Sequence, residues 1–179
     1  MTRADLNHSQ LAFVDSCALA MQHARESVNG LILASLGIAQ FIRESKYGEK
    51  APGNNFGGIK AGGSWTGPTI TFKTHEYING QMIETEASFR VYDSLEACAK
   101  DYANILTTHE PYANATRILN GHQNTAWTTT YAEDPSVTVA EAYIKGICNV
   151  YATDPSYFTG NYQTIVDLEL KYFDSVVKI

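Results

Sequence analysis

The stretch Ile38-Ala39-Gln40-Phe41-Ile42-Arg43-Glu44-Ser45-Lys46-Tyr47-Gly48 decides how this chain is read. Leu33, Gly37, Gln40 or Phe41, and Glu44 recur at helical spacing, so the acid shares a stripe with core residues instead of the solvated side. The run predicts a helix from about Leu31 to Tyr47, apolar on most sides, that passes through the centre of the domain and is ended by Gly48. A carboxyl at that end is partly desolvated and meets the negative end of the helix dipole, and both effects raise its pKa. A carboxyl that keeps its proton near neutral pH is suited to protonating the leaving oxygen of a sugar. The loop that follows, Asn54-Asn55-Phe56-Gly57-Gly58-Ile59-Lys60, is rich in neutral hydrogen-bonding groups and in glycines that let a backbone pass close to a polar ligand.

Outward from this stretch, Ser9 to about Val28 reads as an amphipathic helix capped by Ser9 and ended by Asn29-Gly30. Pro52 to Gly67 reads as an ordered loop in which Trp65 either stacks on a sugar ring or lids the core. Thr69 to Ile78 and Gln81 to Tyr92 flank Asn79-Gly80, a strong two-residue hairpin signal. That turn sets Glu76 opposite Ile83, Thr74 opposite Thr85, Phe72 opposite Ala87 and Ile70 opposite Phe89 on one face, with Lys73, His75, Tyr77, Glu84, Glu86 and Arg90 on the other. Glu76 is thus a second acid on an apolar face, or else a half-solvated edge residue near the tip. Asp93 is expected to open a helix with Glu96 completing a capping box and Leu95, Ala99, Tyr102 and Ile105 or Leu106 buried. Pro111 to Val137 has weak periodicity and supports only short helix. Thr138 and Glu141 form a capping box for a helix to about Val150, Tyr151 to Tyr157 is a tight connection, and Asn161 is expected to open a last helix through Ile165, Leu168, Tyr172 and Val176.

The 179 residues suffice for a single domain, 1–179, with a sizeable core. A formal charge of -6 and the lack of any basic run argue against nucleic acid as a partner. No window is long and apolar enough to span a bilayer, and no export signal is read, so no membrane association is expected. Cys17, Cys98 and Cys148 each fall in an apolar helical pattern and read as buried free thiols. The five histidines are isolated, so neither a metal site nor a cofactor is expected.

Four motifs, in order, give the chain a resemblance: Ala39-Gln40 to Gly48; the loop at 54–60; Phe89-Arg90-Val91-Tyr92-Asp93-Ser94; and Tyr151-Ala152-Thr153-Asp154-Pro155-Ser156-Tyr157. Over about residues 10–177 the chain resembles the bacterial glucosaminidase domain of glycoside hydrolase family 73. The resemblance implies an α+β, lysozyme-like fold, a mainly helical lobe plus a small β-hairpin lobe with a cleft between them. It also implies cleavage of the β-1,4 bond between N-acetylglucosamine and N-acetylmuramic acid in peptidoglycan glycan strands.

Carried over residue by residue, Glu44 matches the family's proton donor, Glu76 the hairpin acid, and Tyr151 the tyrosine near the donor. Asn54, Asn55, Phe56, Trp65 and Tyr157 are then expected to line the sugar sites. The second catalytic function falls to Glu76 through a water or to the substrate's own acetamido oxygen, and Tyr151 either assists there or simply packs the connection. Trp127 and Tyr131 either extend the cleft or cover the helices. Two departures stand out: Phe56-Gly57-Gly58 where Leu-Phe-Gly is commoner, and Arg43 where Leu or Gln commonly precedes the acid. The rivals are a lytic transglycosylase on the same fold and a wall-binding or virion structural module. Action at the bacterial cell wall, periplasmic or extracellular, would depend on delivery by a phage, a secretion machine or a larger parent protein. A delivered toxin would imply an immunity protein.

Overall fold

Helix α2, Ala34–Ser45, is the spine, and every residue from Ala34 to Ile42 is buried. The architecture is that of a computed structural model describing residues 2–62, 65–78 and 81–175, with side chains described throughout except at 74–78 and 82. α2 is shorter than its apolar pattern at both ends. Leu33 is extended and caps the helix without a side-chain hydrogen bond, while Lys46, Tyr47 and Gly48 all take positive φ and unwind the chain before Gly48. Ile32 and Leu33 therefore contribute buried bulk from outside the helix, which periodicity alone does not distinguish from helix.

Helix α1, His8–Ser27, packs across α2, with Asn7 in place of Ser9 as the cap; its side chain accepts from Gln10 N–H at 2.9 Å. The two helices approach closely at Gly37, where a Cβ would lie 2.4 Å from Met21 Sδ. Strands β1, Thr69–Ile78, and β2, Gln81–Arg90, pair antiparallel in the expected register from Thr69↔Arg90 to Ile78↔Gln81. The turn residues Asn79-Gly80 themselves lie outside the described residues. At the hairpin base the 54–60 loop adds a bridge from Lys60 to Phe89.

Helix α3, Leu95–Thr108, is capped by Ser94, whose hydroxyl accepts from Ala97 N–H at 3.1 Å, in place of the expected Asp93 and Glu96 box. Residues 111–137 resolve into a 3-10 turn at Glu110–Tyr112, helix α4, Ala113–Leu119, and a short hairpin of β3, Thr130–Tyr131, with β4, Asp134–Thr138. Helix α5, Val139–Tyr151, opens on the Thr138–Glu141 capping box. Helix α6, Tyr157–Asp167, begins four residues before Asn161, because the Asp154–Ser156 turn already launches it; Asn161 is buried mid-helix and donates to the Tyr157 carbonyl at 2.8 Å. A 3-10 turn, Leu170–Asp174, follows in place of continued helix and packs back on α2.

Three thiols, Cys17, Cys98 and Cys148, are buried and free, and burial pushes Cys98 and Cys148 up to about 12. They are inert packing groups. Among the described residues no helix is long and apolar enough to cross a membrane.

Candidate active site

The C-terminal end of α2 delivers Glu44 into a groove of about 800 Å³ between the helical lobe and the hairpin. Its walls are Glu44, Gly48, Glu49, Lys50, Pro52, Asn55 and Gly58 on one side and Phe72 and Phe89 on the other. The carboxyl opens onto the groove, so solvent and ligand reach it, while protein fills most of the remaining space around it. Desolvation pushes its pKa up; the hydrogen bond from Tyr157 and the charge of Arg43 pull the other way without cancelling it.

The two carboxyl oxygens have different surroundings. Oε1 accepts from the Tyr157 hydroxyl at 2.7 Å. Oε2 faces Gly58, where a Cβ would stand 3.2 Å from it and where φ is +62°. Glycine at 58 thus keeps that edge of the acid uncovered and accepts a backbone conformation other residues resist. Tyr157 is itself buried, and burial together with the Glu44 charge holds its hydroxyl far above the usual phenol range, so it stays protonated and donates.

Tyr151 lies behind this pair. Its ring stacks on Tyr157 at 6.0 Å and 14°, and its hydroxyl donates to the Gly57 carbonyl at 2.7 Å, tying α5 to the loop beside the acid. Arg43 lies over the Tyr157 ring at 5.0 Å and pairs with Asp154 at 2.8 Å. The departure at position 43 therefore fastens the 152–156 connection against α2.

The other expected sugar contacts sort differently. Asn54 is exposed and donates to the Tyr92 carbonyl at 3.0 Å. Asn55 lines the groove but spends its amide on the chain: Nδ2 donates to the carbonyls of Ile59 at 2.8 Å and Arg90 at 2.9 Å, and Oδ1 accepts from Ile59 N–H at 2.8 Å. Phe56 points inward, between Phe13 at 5.8 Å and Phe41 at 6.2 Å. Trp65 lines a separate hollow of about 560 Å³ with Val28 and Tyr92, and Arg90 covers its ring at 4.7 Å. Trp127 donates to the buried Asp174 at 2.8 Å and packs near Tyr162 at 6.4 Å, covering the helices. The Glu76 backbone pairs with Ile83 on the strand face that carries Phe72, but its side chain is outside the described ones.

Two groups escaped sequence reading. Phe72 and Phe89 stack face to face, centroids 4.5 Å apart at 3°, as an aromatic wall opposite Glu44. Alternation marked them as an inward face, but nothing in the sequence said that this face meets a groove instead of a core. Asp101 accepts from Arg90 Nη1 at 2.8 Å and from the Tyr92 hydroxyl at 2.6 Å, pinning the hairpin base to α3. Among the described residues no cluster of His, Cys, Asp and Glu is arranged to hold a metal ion.

This arrangement of a desolvated acid in a groove between two lobes bears directly on the comparison with known proteins. A family described as glucosaminidase, mannosyl-glycoprotein endo-β-N-acetylglucosaminidase, matches residues 19–170. The chain belongs to the glucosaminidase family of glycoside hydrolases. Over 97% of its length it is 34% identical to a "Probable N-acetylmuramidase" of Lactococcus lactis subsp. lactis, and it spans 37% of that relative. An "Autolysin" of Enterococcus faecalis is 30% identical over 92% of the chain, which spans 20% of that protein. The glycoside hydrolase domain of Salmonella typhimurium FlgJ superimposes with a TM-score of 0.61 at 29% identity, covering 89% of this chain and 97% of that one. The catalytic domain of the Listeria monocytogenes autolysin Auto shares the fold, with a TM-score of 0.66 at 23% identity over 94% and 89% of the two chains. The glucosaminidase architecture is the expected α+β, lysozyme-like one: helical lobe, hairpin lobe and groove between them.

Proposed function

We propose that this domain is a peptidoglycan hydrolase acting at the bacterial wall, an endo-β-N-acetylglucosaminidase that cleaves the β-1,4 bond between N-acetylglucosamine and N-acetylmuramic acid. The observation that carries the reading is Glu44: an acid at the apolar end of a buried helix, its pKa raised by desolvation, opening onto a groove. In the reaction Glu44 gives that proton to the departing glycan oxygen. The Phe72 and Phe89 wall offers apolar area to the flat faces and N-acetyl methyls of the sugars. Asn55, Tyr151 and Phe56 act by holding the 54–60 loop in place, and Tyr157 acts on the acid.

Two routes share this acid. Glu76 activates a water and the product inverts, which needs a carboxyl separation of roughly 6.5–9.5 Å in the closed groove. Alternatively the substrate's acetamido oxygen attacks and the anomer is retained. The Glu76 backbone lies four residues, roughly 13 Å of strand rise, along β1 from Phe72, and on the first route the hairpin brings its carboxyl within that separation of Glu44.

Digestion of purified peptidoglycan tests the reading. Borohydride reduction of the products is expected to yield glucosaminitol ends; muramitol ends would move the activity to the other glycosidic bond. Anhydro ends would make the protein a lytic transglycosylase, and binding without release of reducing ends would make it a wall-binding module. The anomer of the first-formed product, read by NMR, separates the two hydrolytic routes.

A further inference from the structure

Behind Glu44 lies a chain of hydrogen bonds that leads away from the groove into the core. The Tyr157 hydroxyl donates to Glu44 Oε1 at 2.7 Å and accepts from Gln40 Nε2 at 3.2 Å. Gln40 Oε1 in turn accepts from the Tyr102 hydroxyl. Gln40 and Tyr102 are fully buried, and Tyr102 is fixed edge-on against Phe41 at 5.5 Å and near Tyr151 at 6.1 Å. Each donor points towards the acid, and hydrogen bonds aligned head to tail polarise one another.

We propose that Tyr102, Gln40 and Tyr157 form a one-way relay that clamps Glu44 Oε1, so that Oε2, beside Gly58, is the oxygen that carries and delivers the catalytic proton. Gln40 and Tyr102 are then positioning residues, far from any sugar yet part of the machinery. The proposal rests on the assignment of Glu44 as the acid. Its physical content is a balance. Desolvation favours the protonated form of Glu44, whereas the relay stabilises the ionised form left after proton transfer and prevents the side chain from rotating away. The remaining titratable or charged groups around Glu44 are Arg43, paired with Asp154, Tyr151, which donates to Gly57, and Glu49 and Lys50 on the same wall of the groove. The relay variants alter none of them.

The sign follows from the donor direction. A donor removed from a carboxylate raises its pKa, so the alkaline limb of kcat/KM moves to higher pH. The test compares Tyr157→Phe, Gln40→Met and Tyr102→Phe with wild type in two readouts: the pH profile of kcat/KM on soluble peptidoglycan fragments, and the ¹³C carboxyl titration of Glu44 in the ligand-free protein, assigned with Glu44→Gln. All three variants are expected to shift the Glu44 midpoint and the alkaline limb upward, Tyr157→Phe most, and to lose on the order of tenfold in kcat/KM, within the hundredfold that a misplaced group costs. Tyr102→Phe removes one oxygen and keeps the ring, so it decides the matter if Gln40→Met does not fold. An unmoved midpoint in Tyr102→Phe and Gln40→Met, or activity lost equally at every pH, overturns the relay. Retained activity in Glu44→Gln would instead remove the assigned acid, a separate failure that the ligand-free titration does not share.

Discussion

At the scale of single residues, two asparagines side by side do different work. Asn54 is exposed, whereas Asn55 joins the loop to the strand end with three hydrogen bonds made by one buried amide. Asn55→Ala removes all three of these hydrogen bonds, although the Ile59 carbonyl keeps the Arg90 N–H at 3.0 Å, and is expected to cost about 1–3 kcal/mol of stability, measured by denaturant unfolding. A loss near zero would show the loop held by other means. The sequence marked this residue as important but not why: an Asn in a glycine-rich loop reads equally as a ligand for a sugar and as a staple for the backbone. The same ambiguity covers Phe56, which packs between Phe13 and Phe41. Glu44 was more legible, because its place on the apolar stripe of a helix implied desolvation before any coordinates.

At the scale of elements, α3 aligns the two sides of the groove through consecutive residues. Asp101 grips Arg90 and Tyr92 at the hairpin base, and Tyr102 begins the chain that ends at the acid. Arg90 is further held by the Lys60 carbonyl at 3.2 Å and lies over Trp65. Asp101→Ala strands a buried guanidinium and is expected to cost about 3 kcal/mol, read as a lowered unfolding midpoint; an unchanged midpoint would mean that the hairpin base does not depend on this pair. Hairpin register was legible because a two-residue turn permits one alignment. Helix α3 was legible in its buried stripe, but Asp101 reads as an ordinary charge beside that stripe, and its partners are eleven and nine residues back across a strand end. The late helix boundary at Asn161 went astray because a good capping residue also serves inside a helix, bonded to the carbonyl four residues back.

At the scale of the whole molecule, the desolvation of the Glu44 carboxyl carries a cost in stability. Burial raises the folded-state pKa of Glu44 above its ordinary 4.5, so between that value and the raised one the folded chain binds more protons than the unfolded chain, and stability falls as pH rises through the window. Glu44→Gln removes this contribution. It is expected to melt at a higher temperature than wild type at pH 7 and to show no advantage once pH falls below about 4; a lower melting temperature at pH 7 would mean that the Tyr157 and Arg43 interactions outweigh desolvation. Asp174, buried at the other end of α2 with Ser35 N–H at 2.9 Å and Trp127 at 2.8 Å, has a raised pKa from burial as well and is present in both proteins, so the difference isolates Glu44. The central apolar helix, the hairpin and the capped helices were legible from the residues, whereas the two-lobed plan that joins them was implied by the family resemblance of the four motifs. What the sequence withheld was the aromatic wall and the relay, which exist only once distant elements meet.

The most direct measurement is the rate at which wild type and Glu44→Gln release reducing ends from purified peptidoglycan, with folding of both checked by thermal melting. The variant is expected to fold and to lose at least about a hundredfold in rate, the range for a missing general acid. A folded Glu44→Gln that hydrolyses glycan strands at a rate close to wild type would contradict the account.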